Sequence, residues 1–239
     1  MNRKILITGG SRGIGRACVK RFSEDGDKVV FIYRSSEDEA RKVSEETGAF
    51  AVRADLSDAC EASDAVKKAA ELMGGIDVLV ANAGIAQFSL FTDISDDDWR
   101  KMTDTNLSSV FYCVREASRF MIHEKSGKIV TISSMWGLIG ASCEVHYSAA
   151  KAGVIGMTKA LAKEFGPSGI NVNCVCPGVI DTDMNAHLSA EDLNVLCDET
   201  PLCRIGKPEE AADAVFFLAS ENASFITGQI LSVDGGFAV

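Results

Sequence analysis

Seven apolar runs of five to seven residues punctuate the chain: 4–8 (KILIT), 28–33 (KVVFIY), 49–53 (AFAVR), 76–81 (IDVLVA), 128–133 (KIVTIS), 170–176 (INVNCVC) and 229–233 (QILSV). Most are continuous Val/Ile/Leu stretches rather than alternations, the pattern of strands covered on both faces. Between them, amphipathic spacing predicts helices over 14–25, 36–47, 58–73, 96–124, 147–165 and 208–219. Within 96–124, Trp99, Met102, Val110, Val114, Ala117 and Met121 recur near every 3.6 residues, which predicts one stripe facing a sheet. Strands alternating with helices this regularly predict an α/β fold: a doubly wound parallel sheet of about seven strands, helices on both faces, right-handed crossovers. No linker or low-complexity tract interrupts the alternation, so residues 1–239 read as a single domain.

Composition narrows the function. With 46% hydrophobic and 24% charged residues the chain is neither disordered nor fibrous. A net charge of −10 leaves no basic face for a phosphate backbone, so nucleic acid is excluded as a partner. Arg3 and Lys4 precede only Ile5, Leu6 and Ile7 before Thr8-Gly9-Gly10, too short for a signal peptide. No run of eighteen apolar residues occurs, so no membrane span is expected and the protein reads as cytoplasmic. Eight cysteines include no C-x-x-C pair and face only three histidines (123, 146 and 187), so no metal site is expected. Cys174 and Cys176 share one strand face and cannot bridge without distortion. The cysteines read as small buried hydrophobes.

The first chemistry follows the first strand: Thr8-Gly9-Gly10-Ser11-Arg12-Gly13-Ile14-Gly15, then a helix. Gly9, Gly13 and Gly15 permit positive φ and close approach of the backbone to a ligand. The helix start offers unpaired N–H groups to a diphosphate. A strand before and a helix after supply the context that a dinucleotide-binding Rossmann fold requires. NAD-binding units place an acid at the end of the second strand to hold the ribose 2′-hydroxyl. Here the chain reads Tyr33-Arg34-Ser35-Ser36. Arg34 and Arg12 suit a 2′-phosphate, with Ser35 or Ser36 adding hydrogen bonds, so NADPH/NADP+ is the expected cofactor.

The glycine spacing, together with Asp55-Leu56, Asn82-Ala83-Gly84, Asn106, Ser134, Tyr147-Ser148-Ala149-Ala150-Lys151, Pro177-Gly178 and Thr182, resembles the short-chain dehydrogenase/reductase family over essentially the whole chain. Tyr147 and Lys151 stand one helical turn apart and project from one face. An ammonium about 5 Å from the phenol, at an effective dielectric of about 20, would favour the phenolate by about 3 kcal/mol and draw the phenol toward neutral pH. Tyr147 would then protonate a carbonyl oxygen as hydride reaches its carbon, while Ser134 orients that oxygen. The resemblance implies that Lys151 also binds the nicotinamide ribose. It implies that Asn106 holds a water linking Lys151 to solvent, a buried and locally satisfied side chain being the alternative. It further implies that Asp55 bonds the adenine amine, with capping of the next helix as a competitor. Asn82, Ala83 and Gly84 would line the adenine ribose, and the backbone of Val179 would meet the carboxamide.

Segments 85–93, 135–146 and 178–200 would shape the substrate cleft. Phe88, Leu90, Phe91, Trp136, Leu138, Ile139, Val145, Met184 and Leu188 make it apolar, with few fixed charges, suiting an acyl or alkyl ketone. Pro201–Glu209 and Thr227–Gly236 resemble the 3-oxoacyl reductases that act on acyl carrier protein, so a small-molecule or carrier-linked ketone is expected. Lys125 and Lys128 precede strand five, where that branch carries cations for the acidic carrier, but Pro167-Ser168-Gly169 precedes strand six. The run 136–144 is similar to reductases of a 5-aminopentanone on elongation factor P, with Glu144 placed to meet an amine. A non-catalytic NADP-sensing regulator is the reading from another class, but the chain keeps Ser134, Tyr147 and Lys151 together. The family implies a homotetramer. Phe216-Phe217-Leu218 and the tail Phe237-Ala238-Val239 suit burial there.

Overall fold

The computed structural model describes residues 2–186 and 188–238. His187 and Val239, named above, lie outside them. Seven strands form one parallel sheet: β1 (Lys4–Thr8), β2 (Lys28–Tyr33), β3 (Phe50–Arg53), β4 (Val78–Ala81), β5 (Gly127–Ile132), β6 (Ile170–Pro177) and β7 (Ile230–Val233). Their order is β3-β2-β1-β4-β5-β6-β7. Sequence order reverses between β1 and β4, so the C-terminal ends of those strands open the crevice where such sheets bind ligands.

Helices α1 (Gly13–Glu24), α2 (Glu37–Thr47) and α3 (Ala59–Met73) follow the first three strands. Asp58 caps α3 by accepting from Cys60 N and Glu61 N, and Gly48 and Gly74, at φ 73° and 80°, end α2 and α3. Later come α4 (Asp96–Thr103), α5 (Ser109–Glu124), α6 (Trp136–Ile139), α7 (Val145–Phe165), α8 (Ala190–Glu199) and α9 (Pro208–Leu218). Alternate residues of β1 feed the two cores. Leu6 packs in the layer of α3 and α5 with Val66, Val110 and Met121. Ile5 and Ile7 pack in the layer of α1 and α9 with Val19, Phe22 and Val215.

Three expectations need correction. The single helix over 96–124 is two helices joined by a wide π-type turn at Asp104–Ser108. Met102, Val110, Val114, Ala117 and Met121 are buried, but Trp99 is exposed, because α4 packs on α7 instead of the sheet. The short α6 and the loop helix α8 have no counterpart in the apolar pattern. Among the cysteines, 18, 113, 174 and 176 are buried, 143 and 197 half-buried, and 60 and 203 exposed; all eight are unpaired. Among the described residues no helix is long and apolar enough to cross a membrane.

Candidate active site

The turn after β1 is built for a ligand. Gly9 and Gly13 take φ 69° and 53°, and a Cβ at Gly15 would lie 2.1 Å from the Gly9 carbonyl oxygen. Arg12 begins α1 with no side-chain cap, and the first turn holds no acid, so its N–H groups are left to a bound anion. The Thr8 hydroxyl accepts from Asn82 N and Ala83 N, both at 2.9 Å. Asn82 Nδ2 donates to the Thr8 carbonyl at 3.0 Å. Asn82 therefore ties the ends of β1 and β4 together across the crevice.

A cavity of about 460 Å³ runs from the end of β2 to Met184. Gly9, Ser11, Arg12, Gly13, Ile14, Arg34, Ser35, Asp55, Leu56, Asn82, Ala83, Gly84 and Thr182 all line it. Gly15 stands behind its wall. The glycine cradle, the uncapped helix and a lining that runs from the turn after β1 past Arg34 and Asp55 to Thr182 fit a dinucleotide. Each arginine has an acid near it: Arg34 Nη1 lies 3.8 Å from Asp55, and Arg12 Nη1 lies 3.6 Å from Asp183. All four side chains are largely exposed, so neither pair ties its arginine down. Asp55 does not cap α3, since Asp58 does. Its Oδ1 accepts from Ser57 N at 3.0 Å and Ser57 Oγ at 2.7 Å. Partial burial opposes its charge, but the Ser57 bonds and Arg34 outweigh it and hold the carboxyl below its usual range.

The catalytic candidates converge at the end of β5. Tyr147 and Lys151 come from α7 and are 8% and 4% exposed. Ser134 stands beside Tyr147 and favours its phenolate, and its Oγ accepts from Trp136 N at 3.2 Å. Lys151 Nζ donates to the Ile132 carbonyl at 3.0 Å and lies 5.7 Å from the Tyr147 ring centre. The electrostatic balance differs from the expectation that lysine draws the phenol toward neutrality. Burial pushes Tyr147 up to about 12, opposed by the Ser134 hydroxyl and reinforced by Glu144 and Cys176. Burial likewise brings Lys151 down to about 8, opposed by the thiols of Cys174 and Cys176. Removing water costs each charged form more than the pair gains.

Asn106 is fully buried in the π-type turn. Its Oδ1 accepts from Ile85 N at 3.0 Å, and its Nδ2 donates to the carbonyls of Ile85 and Met102, both at 3.1 Å. It thus latches segment 85–93 to the helices. A Cβ at Gly84 would lie 2.6 Å from Asn106 Oδ1 and 3.4 Å from Lys151 Nζ, so the absent side chain lets these two groups approach. Val179, like Ser134, Tyr147, Lys151, Pro177 and Gly178, is not among the residues lining the cavity of about 460 Å³. It lines a separate one of about 440 Å³ with Leu202, Arg204 and Asp234, and its carbonyl accepts from Gly206 N at 2.8 Å. Pro177 ends β6 and accepts from Met135 N at 2.9 Å, while Gly178 N donates to the Val233 carbonyl at 3.0 Å. Sequence reading missed Ser57, although a serine two residues after an aspartate is an Asx-turn signal. It also missed Asp183 beside Arg12, a contact between distant loops with no local signature.

Of the expected apolar cleft residues, Phe88, Leu90, Phe91, Leu138, Ile139, Val145 and Met184 are exposed around the mouth. Trp136 stands edge-on to Phe237, ring centres 5.4 Å apart. Lys125 and Lys128 do not flank this mouth. They sit at the start of β5, one six-residue strand from its catalytic end, and Lys128 Nζ donates to Asn171 Oδ1 at 2.8 Å.

A family model described as Enoyl-(Acyl carrier protein) reductase matches residues 9–238. A solved structure of a Serratia marcescens short-chain dehydrogenase/reductase, a doubly substituted mutant, superposes with a TM-score of 0.93 at 35% identity, covering 100% of this chain and 99% of that one. The chain belongs to the short-chain dehydrogenase/reductase family. Curated family members similar to it include the 3-oxoacyl-(acyl-carrier-protein) reductase of Chlamydia muridarum, 45% identical over 100% of this chain and 98% of the relative. The Staphylococcus aureus enzyme of the same name is 40% identical over 99% and 98%. As a short-chain dehydrogenase/reductase the protein is an oxidoreductase, acting between CH–OH and C=O with a nicotinamide cofactor.

Proposed function

We propose that the protein reduces a 3-oxoacyl group carried on acyl carrier protein to the 3-hydroxyacyl group with NADPH, as one catalytic domain working in the cytoplasm. The observation that carries this reading is the grouping of the Ser134 and Tyr147 hydroxyls with Lys151, whose Nζ would lie 3.4 Å from a Cβ at Gly84 in the cavity wall. When bound, the cofactor supplies hydride to the carbonyl carbon. Tyr147 gives its proton to the carbonyl oxygen, Ser134 holds that oxygen, and Lys151 keeps a positive charge close to the oxyanion as it forms. Two hydroxyls aimed at one oxygen suit C=O. The curated relatives, named 3-oxoacyl-(acyl-carrier-protein) reductases at 40% and 45% identity over nearly the whole chain, support C=O over C=C as the bond reduced.

Arg12 and Arg34 support NADPH over NADH, because each borders the cavity and is held only by a long, exposed ion pair. Eight unpaired cysteines support a reducing compartment. Exposed Phe111 and Ile122 on α5, Leu231 on edge strand β7 and Phe225 shortly before it support assembly into a homotetramer. Sedimentation as a monomer would overturn that. A second reading, a ketone bearing an amine as in the 5-aminopentanone reductases, draws on Glu144, whose charge reaches Tyr147.

The test is loss of NADPH absorbance with acetoacetyl carrier protein, a small acetoacetyl thioester and a 5-aminopentanone-modified lysyl peptide. Tyr147→Phe is expected to lose roughly 10²–10⁴-fold in kcat. Arg34→Ala is expected to raise KM for NADPH about tenfold while leaving NADH unchanged, the loss of one charged hydrogen bond to phosphate. Turnover that survives Tyr147→Phe would remove the assigned proton donor. Preference for the amine-bearing peptide would favour the second reading.

A further inference from the structure

Three consecutive residues at the end of β5 grip the catalytic pair at three points. The Ile132 carbonyl accepts from Lys151 Nζ at 3.0 Å. The Ser133 hydroxyl donates to the main-chain carbonyl of Lys151 at 2.8 Å. The Ser134 hydroxyl meets Tyr147. The first and last of these contacts belong to the chemistry described above; the middle one does not.

Ser133 is buried, and its hydroxyl is turned to the main chain of α7. Its N–H donates to the Val175 carbonyl of β6 at 2.9 Å. On its other side α6 comes in through Gly137, where a Cβ would lie 2.7 Å from Ser133 Oγ and 2.9 Å from the Lys151 carbonyl carbon. The hydroxyl is thus enclosed where β5, β6, α6 and α7 meet. A carbonyl inside a helix already accepts from the N–H four residues on, so this serine does not rescue an orphaned acceptor. Its bond instead ties one chosen turn of α7 to the residue that follows β5. That turn carries Lys151, and the turn before it carries Tyr147. About two turns further along, the buried Thr158 and Thr131 hydroxyls, 2.8 Å apart, hold α7 to β5 again, and the packing between, as at Val154, is apolar, so the Ser133 bond is what holds the main chain of the turn at Lys151.

We propose that Ser133 is a positioning residue: its hydrogen bond to the Lys151 carbonyl fixes the register of α7 against β5. In doing so it sets where the Tyr147 phenol and the Lys151 ammonium stand relative to Ser134. The groups facing Lys151 are Tyr147 on its own helix and Cys174 and Cys176 on β6, while Glu144 reaches Tyr147 from the start of α7. A change of register therefore alters both titrations. This inference rests on the ketone-reductase reading, and its test separates the two.

Two variants isolate the bond. Ser133→Ala deletes it. Ser133→Cys keeps side-chain bulk but offers only a weak donor. Both are expected to lose kcat with the small acetoacetyl thioester by roughly tenfold to hundredfold, the cost of misplacing reacting groups by about 1 Å. The pH midpoint of kcat should move, while the KM for NADPH stays within twofold. Wild-type kcat and pH profile in both variants would overturn the proposal. So would wild-type behaviour in Ser133→Cys alone, which would assign the effect to volume. If Ser133→Ala does not fold, the cysteine variant decides. If the wild-type protein reduces none of the three ketones, the functional reading fails and the register claim is decided without substrate, by NMR titration of Lys151 in ¹³C-lysine-labelled protein. A displaced midpoint in Ser133→Cys then supports the claim, and an unchanged one overturns it.

Discussion

The residue with the highest electrostatic cost in the site is Lys151. An unfolded chain holds the lysine proton to about 10.5, whereas burial lets the folded protein hold it only to about 8. The unfolded state therefore binds more protons between those values, and stability rises with pH across that window. Below pH 8 the buried ammonium opposes folding in full. Lys151→Met, similar in length and without the charge, is expected to be more stable than wild type at pH 7 by about 1–3 kcal/mol. Urea denaturation should show the advantage shrinking from pH 8 to pH 10.5. A Met variant no more stable at pH 7 would contradict the assigned burial cost. That Ser134, Tyr147 and Lys151 come together was legible because spacing and side-chain chemistry are local. The sign of the phenol's shift was not, because burial depends on how β6, α6 and α7 close around the pair, which no short window of sequence records.

Elements were legible where one apolar period governs a whole segment. The strands and α1, α2, α3, α7 and α9 come within two residues of the expected ends. Prediction broke down where two demands meet in one stretch. Over 96–124 the apolar spacing continues, yet the π-type turn opens the helix at Asn106 so that its amide can hold Ile85, and a hydropathy pattern cannot express that. Similarly, α8 buries no residue and left no apolar stripe to find; its start is marked only by the Ser189/Asp192 capping box. Caps also separate structure from binding at Asp55 and Asp58, three residues apart. Asp58→Ala should cost about 1 kcal/mol of stability, because it removes the acceptor of two N–H groups at the start of α3. Asp55→Ala should leave the melting temperature nearer to wild type and weaken NADPH binding in a fluorescence titration. If Asp55→Ala were the more destabilising of the two, its place would be in the fold and not in the cofactor site.

At the scale of the whole molecule, charge decides how a substrate carrier can approach. The three segments that shape the cleft, 85–93, 135–146 and 178–200, were read as poor in fixed charge, yet they hold eight Asp and Glu and no Lys or Arg. They account for most of the whole chain's net charge of −10, and the cations at Lys125 and Lys128 stand at the opposite end of β5 from Ser134. A single chain therefore presents a negative field around its catalytic end. An acidic carrier protein approaching that end is repelled at long range, and repulsion between exposed charges is screened by salt over about 10 Å at 0.1 M. For the carrier-linked ketone, kcat/KM is expected to rise severalfold as salt goes from about 20 to about 200 mM, the Debye length shortening over that range. For an uncharged acetoacetyl thioester it should stay flat, because no charge is being brought to the field. A rate that falls with salt for the carrier-linked substrate alone would mean that docking is attractive. The cations responsible would then be sought first among Arg12, Arg34 and Arg204 of this chain, which line the two cavities at that end. A flat response for both substrates would mean that the carrier docks away from the acidic mouth and only its tethered acyl group enters.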